Sequence, residues 1–230
     1  MTSVSETPDQ WLSFSLAFVG GFGDAAGFVL AKTFTGHITG AIVLAAVSMP
    51  AQEWTTTAIR LSSVAFFSAG ILLSVLFARI ATVRRWPTLL PAFSTEVVLI
   101  TAGCLALMAH AAGGTEILVI SLSLALGLQN GAFRRVGGIS VHTTYLTGMI
   151  TGLLVSETEK LFSQTAAATS RHDSRAAVLY GTWGSFFLGA VAGAALVFRF
   201  REAGVFAIVL ILIVLIIQNA MAAQPERLGS

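Results

Sequence analysis

Asp24 lies inside an apolar stretch, in Gly20-Gly21-Phe22-Gly23-Asp24-Ala25-Ala26-Gly27. A carboxylate placed in a bilayer costs about 2.5–3.5 kcal/mol even on a lenient insertion scale. It needs a partner, water or a proton, and the glycines around it let another backbone come close. Gln129-Asn130-Gly131 takes the matching place in the second half of the chain, allowing a two-residue gap. Asp24 facing this amide pair can line a solute cavity or tie two helices together. Glu96, beside Thr95, is a second acid within an apolar run. Its options are a proton relay, a cation, or a bond to a neighbouring backbone or arginine. The equivalent region, Ala207 to Leu215, carries no charge.

A second constellation occurs twice. Thr35-Gly36-His37-Ile38-Thr39-Gly40 returns 108 positions later as Thr143-Thr144-Tyr145-Leu146-Thr147-Gly148. Phe66-Phe67 and Arg79 return 120 positions later as Phe186-Phe187 and Arg199. Thr35, Thr39, Thr143, Thr144 and Thr147 fall in the first turns of two short apolar segments, where hydroxyls cap free amides. A helix N-terminus presents unpaired N–H groups and about half a positive charge. Two such ends aimed at one cavity would bind an anion or the negative end of a dipole. His37 and His142 stand near the starts of both segments. Imidazole titrates near pH 6.5, which suits proton coupling as well as plain capping or packing.

These residues need a membrane framework. Of 230 residues, 55% are hydrophobic and 10% charged, with a mean hydropathy of +0.83. Soluble domains carry about 25% charged residues, so the chain is expected to be an all-α integral membrane protein. It reads as one membrane domain over 1–230, with repeats over 12–110 and 116–222. The net charge of +2 gives no case for nucleic acid. Cys104 is alone, so neither a disulfide framework nor a thiolate metal site is expected. The segment Met1 to Gln10 has Glu6 and Asp9 but no Lys or Arg, unlike a cleavable signal. No GxSxG, HExxH, CxxCH or phosphate-loop motif occurs, so no enzyme, haem, metal or other cofactor is expected.

A span needs about 20 apolar residues. Leu12–Ala31, Thr57–Ala78, Leu89–His110, Ile117–Phe133, Ala176–Phe198 and Ala203–Ala222 make six expected full spans. His37–Met49 and Thr143–Ser156 are too short, and read as broken half-helices. Each follows a lead expected to be extended, Lys32 to Gly36 and Arg134 to His142. Non-helical backbone at membrane depth persists only inside protein or beside a wet cavity. If both broken segments cross, Lys32, Arg79, Arg84, Arg85, Arg134, Arg135, Arg199 and Arg201 share one side, and both termini are outside. If both are re-entrant, each repeat crosses three times and the repeats are inverted. Residues Gln164 to Ser174 are expected to form a mobile loop. Gly189, Ala190, Gly193 and Ala194 form a small-residue stripe suited to a homodimer or to packing within one copy.

With these motifs laid out, the chain resembles the YoaK-like family of bacterial inner-membrane proteins, grouped as a domain of unknown function. The resemblance rests on Gly21 to Gly27, Thr35-Gly36-His37, Glu96, and Gly127-Leu128-Gln129-Asn130-Gly131-Ala132-Phe133-Arg134-Arg135. It extends through Thr143-Thr144 and Leu146-Thr147-Gly148. His37 stands where that family often has Asn, and His142 where it often has Arg. The resemblance implies a helical fold in a bacterial membrane and no particular substrate. Locally, the layout is also similar to sulfate and nucleobase transporters, whose half-helices face each other across a site. Together these readings point to a transporter or facilitator of a small polar solute, anionic or zwitterionic, in the inner membrane. Its expected contacts are Asp24, Thr35, His37, Thr39, Gln129, Asn130, His142, Thr143, Thr144 and Thr147, with Glu96, His37 or His142 coupling protons. The alternative is a non-transporting sensor, assembly factor or scaffold.

Overall fold

A computed structural model describes residues 8–87, 89–133, 135–136, 139–140, 146–162 and 166–222. Eight α-helices occur among them: α1 Pro8–Ala31, α2 Ile38–Ser48, α3 Trp54–Arg84, α4 Leu90–Met108, α5 Gly114–Ala132, α6 Leu146–Leu161, α7 Ala166–Phe200 and α8 Phe206–Ala222. A two-residue hairpin follows α5, with Arg135–Val136 (β1) antiparallel to Ile139–Ser140 (β2). A 3-10 turn, Arg201–Val205, joins α7 to α8.

Five stretches are long and apolar enough to cross a bilayer: Gln10–Ala31, Trp54–Arg84, Leu90–Met108, Gly114–Ala132 and Ala176–Gln218. The protein is a multi-pass membrane protein whose outer surfaces meet lipid. The last stretch has 43 residues. As one straight helix it would run about 65 Å, twice the hydrocarbon core. Instead the chain reverses within it: Arg201 takes a left-handed φ of 57°, and Gly204 abuts the Leu196 carbonyl.

Two buried clusters give the helix directions. At one end, Leu16 of α1, Phe93 of α4, Phe133 after α5, Leu179 of α7 and Leu215 of α8 pack together. At the other, Phe22 of α1, Cys104 of α4, Leu118 of α5, Val197 of α7 and Ile208 of α8 do so. α1, α4 and α7 therefore run one way, and α5 and α8 the other. Gly127 of α5 lies on the Phe67 carbonyl of α3, and four residues further on Gly131 lies on the Ile71 carbonyl, so α3 runs with α5.

Glycine sets the closest contacts. Gly21 of α1 lies against the Phe186 carbonyl of α7, while Gly189 and Gly193 of α7 lie against the Phe18 and Phe22 carbonyls of α1. Gly70 of α3 lies against the Leu124 carbonyl of α5. A side chain at any of these points would sit on a backbone oxygen. The small-residue stripe of α7 is thus covered by α1 within one copy, which removes the basis for the homodimer reading.

The structure corrects three other expectations. The lead into α2 is a compact bend rather than extended chain, turned by Lys32 at a φ of 54°. The lead into α6 does contain extended residues, but they fold back on each other as β1 and β2 and so gain little depth. Most of the expected mobile loop is helical, since α7 begins at Ala166.

Gly21→Ala and Gly127→Ala should each lower stability by about 1–3 kcal/mol through overpacking. Gly184→Ala meets nothing within 4 Å and should be neutral or stabilising. Melting of the three purified variants in one detergent checks this.

Candidate functional site

The α1 helix carries Asp24 and Gly27 three residues apart, hence on one face. Beyond Ala31 the chain bends back along that face. Thr35 returns to the level of Gly23, donating its hydroxyl to the Gly23 carbonyl at 3.3 Å. Gly27 allows the approach, because a side chain there would collide with Thr35. Asp24 Oδ1 then accepts three successive backbone N–H groups: Thr35 at 2.7 Å, Gly36 at 2.9 Å and His37 at 3.3 Å. These amides belong to the bend before α2, ending at its N-cap His37, and Asp24 and Thr35 are both buried.

Asp24 is therefore a carboxylate of another helix that pins the bend leading into α2. Of the donors that the helix start leaves free it takes only the N-cap amide of His37, and its charge lies near the positive end of the dipole. The His37 ring packs on Phe34, with centroids 5.5 Å apart, and Phe34 stacks on Phe28 at 4.8 Å. Thr39 faces outward and is exposed.

The far end of α2 is held as firmly. Arg60 of α3 donates to the Leu44 carbonyl at 2.7 Å, placing a cation at the negative end of the dipole. Ser48 and Thr57 share a hydrogen bond of 2.6 Å, and Ser48 also donates to the Ala45 carbonyl. Sequence analysis gives Arg60 no role. The available signal was its place within the apolar run Thr57–Ala78, close after a short helix that ends without a basic residue of its own.

Gln129 and Asn130 are buried in the last turn of α5. The Gln129 amide donates to the Leu16 carbonyl of α1 at 2.9 Å, tying the two helices. The Asn130 amide donates to the Leu126 carbonyl of its own helix at 3.0 Å. Asp24 makes its bonds to the α2 lead rather than facing this pair. Glu96 is fully buried in α4, and neither of its carboxylate oxygens has a hydrogen-bond partner among the described residues. Thr33 and Ser123 hydroxyls are buried in the same condition. Thr147 lies in the first turn of α6. His142, Thr143 and Thr144 lie outside the described residues.

Residues 12–218 match the sequence profile described as "Protein of unknown function (DUF1275)". The chain belongs to the DUF1275 family. A similar protein is the UPF0700 transmembrane protein YoaK of Bacillus subtilis (strain 168), 27% identical over 162 residues, 69% of this chain and 72% of YoaK. The matched DUF1275 region contains α2, Asp24, Glu96 and Asn130. The YoaK-like resemblance read from the motifs is thereby borne out. No solved structure matches, and nothing in these comparisons supports the sulfate and nucleobase transporter likeness.

Asp24→Ala should orphan three buried N–H groups and cost about 2–3 kcal/mol, whereas Asp24→Asn keeps an acceptor and should cost less. Hydrogen exchange at residues 35–37 should accelerate strongly in Asp24→Ala and only modestly in Asp24→Asn.

Proposed function

We propose that this DUF1275 protein is a secondary transporter or facilitator for a small polar solute in the inner, or plasma, membrane of a bacterium. The observation that carries the reading is the start of α2, held at membrane depth by a carboxylate of another helix. Discontinuous helices ending near the midplane are the usual building parts of transporter sites.

The reading includes two inverted repeats. Shifting by 106 takes Gly21 to Gly127, and shifting by 119 takes Phe67 to Phe186. The same shifts take Phe18 to Leu124 and Gly70 to Gly189. Both pairs of glycine-on-carbonyl contacts, α1 on α7 and α3 on α5, are related in this way. A shift of 106 also takes Asp24 to Asn130, and a shift of 108 takes buried Ser48 to buried Ser156. Because α1 and α5 run oppositely, the related halves are inverted, each with three crossings and a re-entrant half-helix. The α2 lead turns back to the level of Gly23 and α2 returns to the side where α1 ended.

This arrangement favours the re-entrant topology over eight crossings. Arg79, Arg84, Arg85, Arg135, Lys160, Arg171 and Arg175 then fall with the start of α1 and the end of α8. Lys32, Arg60, Arg199 and Arg201 fall opposite. The positive-inside rule assigns the richer side, and both of those helix ends, to the cytoplasm.

Asp24 at one half-helix and Asn130 near the other make the two ends chemically unequal. An anion at the α2 start would lie beside the Asp24 carboxylate. Of the expected solute classes the zwitterion fits best, because its cationic end meets the Asp24 charge. Glu96 is the candidate for coupling to protons, being buried, titratable and free of side-chain ties among the described residues. His37 packs against Phe34 and keeps a lesser claim to that role. The threonines expected to bind solute divide: Thr35 braces the α2 lead, and Thr39 is exposed beside it.

One set of observations favours the alternative of a sensor, assembly factor or scaffold. Asp24, Thr35 and Gln129 all make internal ties, as a packed and non-transporting centre requires.

Proteoliposome uptake of a panel of amino acids, small anions and nucleobases, with and without a pH gradient, distinguishes the readings. The expected outcome is zwitterion flux that falls at least about ten-fold in Asp24→Asn. Glu96→Gln should fold normally and lose the response to the pH gradient. Absence of flux for every solute favours the scaffold, whereas wild-type flux in both variants would overturn the roles given to Asp24 and Glu96.

A further inference from the structure

A groove of about 540 Å³ opens between α3, α4 and α5. That volume is in the range of small-molecule sites. Its polarity is graded along α3. Ser74, Val75 and Ala78 line the inner part, with Ala92 of α4 and Ala132 of α5 closing it. The Ser74 hydroxyl is already bonded to the Ile71 carbonyl, so this part is apolar in effect. Arg79 and Thr82, followed by exposed Val83, line the outer part. From Ser74 to Val83 the groove follows α3 for roughly 13 Å.

Arg79 is exposed and has no acidic partner among the described residues. Arg84 and Arg85 lie just beyond it, where α3 ends. Ala92 and Ala132 belong to the buried cluster at the end of the bundle where α1 begins. The groove thus runs from the apolar interior toward a membrane face rich in arginine. On the other related helix pair the corresponding surface is covered: Val197 of α7 is buried, and Gly204 lies on Leu196.

We propose that this groove seats one anionic phospholipid, with an acyl chain along Val75 and Ala78 and its phosphate at Arg79. Charge complementarity selects the occupant. A small anion would leave the apolar length unfilled, and a zwitterionic lipid would bring its own cation beside the guanidinium. A guanidinium binds phosphate through paired N–H donors, and a basic pocket between membrane helices suits an acidic headgroup. The proposal does not require that the protein transport anything.

The test uses the full chain, purified in a neutral detergent and titrated with phosphatidylglycerol, with phosphatidylcholine of the same acyl chains, or with inorganic phosphate. Phosphatidylglycerol alone should raise the melting temperature. Arg79→Gln should weaken that response at least about ten-fold in lipid concentration, and Ala78→Phe, which fills the groove, should abolish it. Arg84→Gln, outside the groove lining, should retain it. A full wild-type response in Arg79→Gln or Ala78→Phe overturns the proposal. So does equal loss in Arg84→Gln, which would mark general attraction to a basic face. An equal shift with inorganic phosphate would also overturn it, by assigning Arg79 to free anions rather than lipid.

Discussion

The contact between Asp24 and the backbone amides of Thr35, Gly36 and His37 fixes the bend from which α2 begins. Backbone turned back inside a membrane protein leaves N–H groups that water cannot reach, and each costs free energy unless it is paired. Asp24 pairs three of them through one oxygen, the last being the N-cap amide of α2. The donors and the nearby dipole end offset part of the cost of burying the carboxylate. Each half of the contact would be unfavourable alone. Gly27 follows from it, since the returning chain needs a bare helix face, and Arg60 completes it by matching the opposite end of α2.

The rest of the bundle keeps this contact rigid. Helices in lipid have little hydrophobic reason to associate, so close backbone approach and van der Waals packing must hold them. The glycines of α1, α3, α5 and α7 provide that approach at related points. Gln129 then bonds across from α5 to α1 eight residues before Asp24. Polar ties and glycine contacts alternate along α1, leaving Asp24 little freedom to move without its neighbours. Glu96 differs in kind, since it is equally deep but makes no such tie among the described residues.

Much of this was legible in the sequence. Apolar length located the five stretches able to cross a bilayer, reading the last as two spans and missing the first ten residues of α7, and the unusual Asp24 in a glycine-rich stretch marked the place where backbone comes close. The Thr-Gly repetition identified α2 as a short helix with a special start. What was not legible was direction. Sequence spacing showed an acid and a lead into a short helix but not that the two meet, because a compact bend and an extended lead look alike in Lys32 to Gly36. The α7 stripe looked equally suited to a partner or to the chain itself. Only the placement of Phe18 and Phe22 resolves that choice. Arg60 was missed because its partner is a backbone carbonyl, which no residue type announces.

The account stands on α2 returning to the side it came from. In a Cys104→Ala background, Lys32→Cys and Gln52→Cys bracket α2 at exposed positions. A membrane-impermeant maleimide applied to intact cells, then to inverted vesicles, reports their sides. The account predicts that both label from the same face, the outer one. Labelling from opposite faces would mean that α2 crosses the membrane, and would contradict both the re-entrant start at Asp24 and the inverted repeats built on it.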